Sequence, residues 1–401
     1  MAITGDQSLL KRINRMGLVR LVKSSPGCSR ADLAKQSGLT KSTVSLLIQE
    51  LIEEGWLCEK NIEVTKNIGR RPTPLTLDGD RLALLGAEIG VDYLNVVACN
   101  LKGELLTTRM LSYRHLALED SIRQLCKMIG EVQAFLLVEG RISLGLGVGV
   151  PGVMEADGLT LRFAPNLDWN DVDITDLISA GLQKMGLEQM PVTVLNEANA
   201  AALSEYVFGA QYHTAPLIYL SIGVGLGAGI VLDDRLYLGH DGLAGEIGHT
   251  ILQLDGLLCT CGRHGCAEAY ISQRAVSRRL SVKNDQLLSI GELTGRLVRQ
   301  DKEVEAAVTE AGRYLGLLMQ NLVNTLNPAV IVLGGPLSQF DDLLMRTAVV
   351  SMTAYGGRFD AHRTSVRLCR FGVNACAVGA AGAILHQSLF QLQTNAADNM
   401  G

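Results

Sequence analysis

Aromatic side chains are scarce in this chain of 401 residues, at 4% of the total with two Trp and seven Phe. The interior must therefore be filled by small aliphatic side chains, and 43 Gly supply many tight turns, a composition that favours α/β architecture. Long apolar runs are also missing. The most apolar stretch, LIYLSIGVGLGAGIVL at residues 217–232, is too short and too glycine-rich for a spanning helix of about 20 residues. The opening residues carry no apolar signal region, so a soluble cytoplasmic protein with no membrane partner is expected. Nine cysteines, an odd number, argue against a disulfide framework. With 47% hydrophobic against 19% charged residues, disorder is excluded, and the length suggests roughly two to four domains.

Charge is present but unevenly spread. Residues 1–77 hold 12 Lys and Arg against 7 Asp and Glu, whereas the remainder holds 24 against 34. A small basic head thus precedes a large acidic body. In the head, Leu9, Leu10, Ile13, Met16, Leu18, Val19 and Val22 recur at helical spacing until SSPGCS breaks the pattern, which predicts a first helix. Ser29 then precedes RADLAKQSG, a short helix ended by Gly38. Thr40 caps KSTVSLLIQELIEEG, whose apolar stripe is Val44, Leu47, Ile48, Leu51 and Ile52. Two helices joined by a short Gly-containing turn make a helix-turn-helix candidate.

The first turn of the third helix carries Thr40, Lys41, Ser42, Thr43 and Ser45, side chains able to reach phosphates or base edges of double-stranded DNA, while Glu50, Glu53 and Glu54 lie at its far end. The following WLCEKNIEVTKNIGRRPTPLTL alternates strand-like segments around a basic tip from Lys66 to Arg71, as in a wing whose Arg70 and Arg71 enter the minor groove. A three-helix protein-interaction module is the plainer alternative, and the placement of charge and polar groups favours DNA docking.

In the body, GAEIGVDYLNVVACNLKGELL from Gly86 reads as strand, tight turn, strand and a second turn at Lys102-Gly103. The layout returns in LIYLSIGVGLGAGIVLDDRLYLG, with a glycine-paced turn from Gly223 to Gly229 and a further turn at Asp233-Asp234, so two similar halves are expected. Helical patterns at residues 199–208 and 304–326 lie between and after them, then the apolar strand AVIVLGGP. Glycine-rich turns at strand ends cradle phosphates with backbone N–H groups, which suggests an ancestral nucleotide-binding, two-lobed sugar-kinase fold. Taken alone, GVGLGAG also fits close strand packing without a ligand.

His249, Cys259, Cys261 and Cys266 give the spacing H-x9-C-x-C-x4-C, four borderline-soft ligands that satisfy tetrahedral Zn2+ and leave no open position. A closed, structural site is expected, with Gly262 and Gly265 providing the tight turns, against the alternative of buried thiols beside a core histidine. His264 is spare. Glu246 and Glu268 flank this loop, and together with His249, Asn166 and the Asn196-Glu197 pair they would form a rigid polar frame of the kind a sugar ring needs.

Together these residues resemble the ROK family of repressors, open reading frames and kinases, over nearly the whole chain from about Leu10 to Leu385. GVPGVM at residues 149–154, APNLDW at 164–169, NEANAAA at 196–202, GEIGH at 245–249 and CTCGRHGCAE at 259–268 are similar to its signature segments. The resemblance implies that Asn166, Asn196, Glu197, Glu246, His249 and Glu268 contact a sugar and that His249 serves sugar and metal alike. It also implies the fold class: α/β, an N-terminal winged helix-turn-helix at 1–78 followed by a two-lobed sugar-kinase-like body of the actin and hexokinase type. Lobe 1 is expected at 79–195, with a C-terminal helix at 375–390 packing back, and lobe 2 with the zinc loop at 196–374.

Three departures from the kinase pattern bear on activity. Glu197 stands where kinase members carry an Asp general base, and the extra methylene moves the carboxylate by about 1 Å, enough to cost roughly 100-fold in an in-line transfer. The phosphate turn, DIGGTK-like in kinases, reads Glu88-Ile89-Gly90-Val91-Asp92-Tyr93, and Val224 replaces a Thr in the second turn. No catalytic residue is therefore expected. The winged head is similar to that of the family's repressors, and NEAN in place of NDAN resembles its xylose-repressor branch. The expected function is a sugar-responsive repressor of a carbohydrate operon, a homodimer or homotetramer on its operator. An ATP-dependent sugar kinase with an appended DNA-binding domain is the rival, and titration of the body by a phosphotransferase-system protein a third reading.

Overall fold

The computed structural model describes residues 7–60, 73–113, 116–155, 158–209, 216–280, 287–357 and 364–398, with side chains to residue 390. The head forms α1 (Gln7–Ser24), α2 (Arg30–Ser37) and α3 (Lys41–Glu53), bounded by the caps the sequence predicts. The Ser29 hydroxyl accepts from the Asp32 N–H while the Asp32 carboxylate accepts from the Ser29 N–H at 2.9 Å, a complete capping box. Gly38 ends α2 in the left-handed conformation at φ 71°, and Thr40 Oγ1 accepts from the Thr43 N–H at 3.2 Å to start α3. Val19, Val22, Leu33, Val44, Ile48 and Leu51 are fully buried between the three helices.

Four expected stripe positions differ. Leu10 is 52% exposed, and Leu9, Ile13 and Ile52 are only partly buried. Burial in α1 begins at Met16, and its opening turns are held by charge instead: Lys11 pairs with Glu50 at 2.8 Å, and Arg15 pairs with Glu50 and Glu54. The acidic far end of α3 thus satisfies the basic face of α1. Strands β1 (Leu57–Glu59) and β2 (Leu75–Leu77) pair antiparallel, with Leu57 opposite Leu77, at the base of the expected wing. The wing tip, with Lys66, Arg70 and Arg71, lies outside the described residues.

The body continues through β3 (Leu82–Ile89), β4 (Tyr93–Asn100), β5 (Leu105–Ser112), α4 (Leu118–Val138) and β6 (Ile142–Val150). Next come β7 (Val153–Met154), β8 (Leu161–Ala164), β9 (Trp169–Val172), α5 (Ile174–Gln183), β10 (Val192–Asn196) and α6 (Glu197–Phe208). After these follow β11 (Leu217–Ile222), β12 (Leu226–Leu232), β13 (Arg235–Leu236), the short α7 (Glu268–Ile271), α8 (Gln273–Arg279), α9 (Ile290–Val298) and α10 (Lys302–Leu326). The chain closes with β14 (Val330–Gly334), α11 (Asp341–Gly356), β15 (Ser365–Leu368) and α12 (Ala375–Asp398).

Two compact units result. One comprises residues 1–148, 176–193 and 380–401, the other 149–175 and 194–379. The first contains a five-stranded sheet ordered β10-β6-β3-β4-β5, the second a five-stranded sheet ordered β13-β12-β11-β14-β15. Each is built on an antiparallel meander, β3-β4-β5 in one and β11-β12-β13 in the other, so the repeat seen in the sequence is a repeat in topology. The second glycine turn is shorter than expected: β12 already begins at Leu226, and Gly227 and Gly229 are strand residues.

Those glycines serve packing. A Cβ at Gly229 would stand 2.3 Å from the Ala198 carbonyl oxygen, and one at Gly379 on α12 would stand 1.7 Å from the Ala200 carbonyl oxygen. The small residues of NEANAAA and these two glycines bring the backbone of α6 against β12 on one side and α12 on the other. That contact fixes the first turn of α6, which carries Asn196, Glu197 and Asn199. Within the first unit, Phe390 of α12 lies under the Arg20 guanidinium of α1 at 5.1 Å. The apolar segment of α12 is long enough to cross a membrane, and most of it is buried inside the protein as a core helix.

Candidate functional site

The loop after the helical turn at Ile247–His249 folds back on itself through pairings of Ile251 with Cys266 and Leu258 with His264. Gly265, at φ 78°, lies where a Cβ would meet the Gln253 carbonyl oxygen at 1.7 Å, so only glycine closes this turn. One ligand atom from each of His249, Cys259, Cys261 and Cys266 then falls within 4.8 Å of the others. The Cys259 Sγ to His249 Nδ1 and Cys261 Sγ to Cys266 Sγ separations are both 3.7 Å. Thiolates bound to one tetrahedral ion at about 2.3 Å stand about 3.8 Å apart, so the donor set fits a metal ion. Burial raises the Cys261 thiol, but hydrogen bonds with Arg263, Cys259 and Cys266 outweigh it and bring it down to about 6. Burial and the neighbouring thiols push Cys266 up to about 12. The expected spare residue, His264, is exposed, with Nδ1 2.9 Å from the Gly256 carbonyl oxygen.

Two carboxylates flank this cluster in different ways. Glu246 Oε2 lies 3.9 Å from His249 Nε2, the ring nitrogen opposite the one beside Cys259, an arrangement that orients a metal-ligating histidine. Glu268 is hydrogen-bonded within the protein through both of its oxygens. Its Oε1 accepts from Thr260 Oγ1 at 3.1 Å and lies 3.7 Å from Cys259 Sγ, and its Oε2 accepts from the Leu226 N–H at 3.0 Å. A carboxylate therefore accepts from the backbone at the end of the second glycine turn. A Cβ at Gly225 would come within 2.8 Å of that carboxylate.

The first glycine turn is filled too. Tyr93 donates its hydroxyl to Glu88 Oε1 at 2.5 Å, and a Cβ at Gly90 would come 2.5 Å from the Tyr93 ring. The Tyr113 hydroxyl closes the far side by donating to the Gly90 carbonyl at 2.8 Å.

A cleft within the second unit is lined by Gly152, Glu155, Asn196, Asn199, Gly245 and Glu246, among others. Asn196 is the cap of α6: its Oδ1 accepts from the N–H groups of Ala198 and Asn199, and its Nδ2 donates to the Gly152 carbonyl at 2.8 Å. Glu197, partly buried, has its carboxyl raised to about 6 by burial and by the like charge of Glu246. Asn166 is exposed in the turn between β8 and β9, and of the expected sugar residues only Asn196 and Glu246 line this cleft; Asn166, Glu197, His249 and Glu268 are not among its lining residues. Asn199, absent from the sequence-level set, does line it. Its position three residues after Asn196 on the same helix face was the available signal.

On the face of α3 expected to meet DNA, Thr40, Lys41, Ser42 and Ser45 are exposed and Thr43 is half-buried. Thr40 Oγ1 lies 3.0 Å from Ser42 Oγ and 2.8 Å from Thr43 Oγ1, and Arg30 Nη1 donates to Ser45 Oγ at 3.1 Å. Arg30 thereby joins this face, and so does the exposed Leu46; neither stood out in the sequence.

The ROK family model matches residues 84–387, more than half of the chain. The chain belongs to the ROK family. Residues 16–59 of the head match the IclR helix-turn-helix domain. This ROK protein is 34% identical over 363 residues to the xylose repressor of Caldicellulosiruptor bescii, covering 85% of this chain and 87% of that one. Its fold matches the crystal structure of a ROK-family transcriptional regulator, a homologue of the Escherichia coli MLC protein, at a TM-score of 0.75 and 23% identity over 97% of this chain and all of that one. The ROK glucokinase of Streptomyces griseus, crystallised with glucose and AMPPNP, matches at a TM-score of 0.62 and 28% identity over 75% of this chain and 98% of the enzyme.

Proposed function

We propose that this ROK protein is a sugar-responsive transcriptional repressor acting in the cytoplasm, that it binds operator DNA as a dimer or tetramer, and that it has lost phosphoryl transfer. The observation that carries this reading is a DNA-reading head on the same chain as a sugar-kinase body whose two glycine turns are filled by Tyr93 and Glu268. Likeness to a xylose repressor over most of both chains makes a pentose such as xylose the first candidate effector.

The metal is Zn2+ in this reading, one per chain, held by His249, Cys259, Cys261 and Cys266. When bound it supplies a closed tetrahedral tie and no open coordination site. The chain's own residues do the rest. Asn196, Glu197, Glu246, His249 and Glu268 stand around one short stretch of backbone and loop, and with Asn166 they are the groups offered to the sugar. Glu246 and His249 supply an acceptor and an orienting partner for ring hydroxyls. In the dimer, sugar binding alters the spacing of the paired heads, and half-sites a helical turn apart cannot both be engaged once that spacing changes. A coupling of about 1–3 kcal/mol corresponds to a roughly 5- to 150-fold loss of operator affinity, and by linkage operator DNA weakens sugar binding by the same factor.

The test is binding to DNA from upstream of the protein's own operon, with and without xylose and a panel of other sugars, for the wild type and Glu246→Ala. Release of the wild type by one sugar, with no response from the variant, is expected. If no sugar changes the affinity, the sensor role falls. The specific likeness to a glucokinase favours a second reading, an active sugar kinase with a DNA-binding appendage. ATP-dependent phosphorylation of any sugar in the panel, abolished by Glu197→Gln, would establish it.

A further inference from the structure

Most of the hydrogen-bonding capacity of Asn196 is spent on capping α6, with one amide N–H left over. Its carbonyl oxygen already accepts two helix N–H groups and its amide nitrogen already donates to Gly152. One turn further along α6, Asn199 is in the opposite state. It is 6% exposed, lines the same cleft as Glu246, and its Oδ1 is buried with no hydrogen-bond partner among the described residues. A buried acceptor without a partner costs about 1–3 kcal/mol, and the folds that keep one commonly use it on a ligand. The backbone beneath it is held on both sides, by Gly229 against Ala198 and by Gly379 against Ala200, so the side chain is presented from a fixed position.

We propose that Asn199 is a further sugar-contacting residue, its side-chain amide accepting a hydrogen bond from one ring hydroxyl of the effector. The inference rests on the reading of this cleft as the sugar site. It also gives that site a specificity rule. A site that accepts from a hydroxyl rejects the sugar lacking it, because the buried acceptor then goes unsatisfied.

The experiment is calorimetric titration of the full-length protein with D-xylose and with its 2-deoxy, 3-deoxy and 4-deoxy analogues. It uses the wild type, Asn199→Ala, Asn199→Ser and Glu246→Ala, each checked for an unchanged unfolding temperature without sugar. Asn199→Ala is expected to weaken xylose binding about 10- to 100-fold. One deoxy analogue should bind the wild type with a similar loss and bind Asn199→Ala no worse than xylose does. Asn199→Ser, which restores a short hydroxyl, should recover part of the affinity and should fold if the alanine variant does not. Wild-type affinity in both Asn199 variants, with binding lost in Glu246→Ala, overturns the role of Asn199 and leaves the sugar site standing. An equal loss for every analogue in the Asn199 variants makes the residue structural and also overturns the proposal. Wild-type affinity in all three variants, or no binding of xylose to the wild type, removes the sugar-site reading and this proposal with it.

Discussion

The two glycine turns of the body descend from one layout and are filled by different means. Around Gly90 the plug is local: Tyr93, three residues on, lays its ring against the turn and satisfies the buried Glu88. Around Gly225 the plug comes from Glu268, brought in by the cysteine loop, and accepts from the Leu226 N–H. The first plug is a feature of one hairpin and should persist whatever happens elsewhere. The second depends on the loop being folded, and so on whatever ties His249 and the three cysteines together. Filling a glycine turn thus takes a neighbouring side chain in one half and a tertiary contact in the other.

Removing the proposed metal should break the comparison most strongly. Chelation, or Cys261→Ser, is expected to lower stability by several kcal/mol, on the order seen when structural metal ties are lost, because Glu268 loses its anchorage along with the loop. Metal analysis together with thermal unfolding measures it, and a metal-free wild type of undiminished stability would show that the second turn is held without the loop. A smaller effect is expected from Tyr93→Phe. The buried Glu88 loses the donor to its Oε1, at a cost of about 1–3 kcal/mol, and metal content should not change. A simultaneous loss of metal would mean that the two plugs are not independent.

Glu197, beside the second turn, gives a pH-dependent signal. Its folded-state value of about 6 lies above the ordinary 4.5, so the folded protein holds the proton more tightly than the unfolded chain does. The resulting destabilisation is absent below about pH 4.5, grows through pH 6 and is complete above it, reaching at most about 2 kcal/mol. Glu197→Gln should therefore unfold at a higher temperature than the wild type at pH 7.5, and the gap should close as the pH falls toward 4.5. A constant gap would remove the titration from the explanation. Least of all, Glu268→Gln keeps an acceptor for the Leu226 N–H and loses only the charge, for a cost of about 1 kcal/mol in chemical unfolding.

Much of this molecule is legible in order along the chain. Ser29, Gly38 and Thr40 fix the helix boundaries of the head because a cap is made within three or four residues of the end it closes. The cysteine cluster is legible for a similar reason: Cys259 to Cys266 span eight residues, and a loop so short cannot hold its thiols far apart. Leu10 could not be read, since helical periodicity marks an apolar face without saying how far along it a neighbour extends. Nor could Asn196 be told from Asn199, because both are polar, adjacent on one helix face and equally suited by type to a sugar.

Residue order alone thus determined the capped helices, the strand-turn-strand repeat, the clustering of His249 with three cysteines and the local plug at Gly90, all of which rest on interactions between near neighbours in the chain. Tertiary structure decided the rest. Residues 149–175 join the second unit although the first surrounds them in sequence, Glu268 reaches the Leu226 N–H across 42 residues, and Asn199, with a buried acceptor, lines the cleft. These outcomes depend on how closely backbones approach where Gly229 and Gly379 press on α6, and that distance is set by the packing of whole elements.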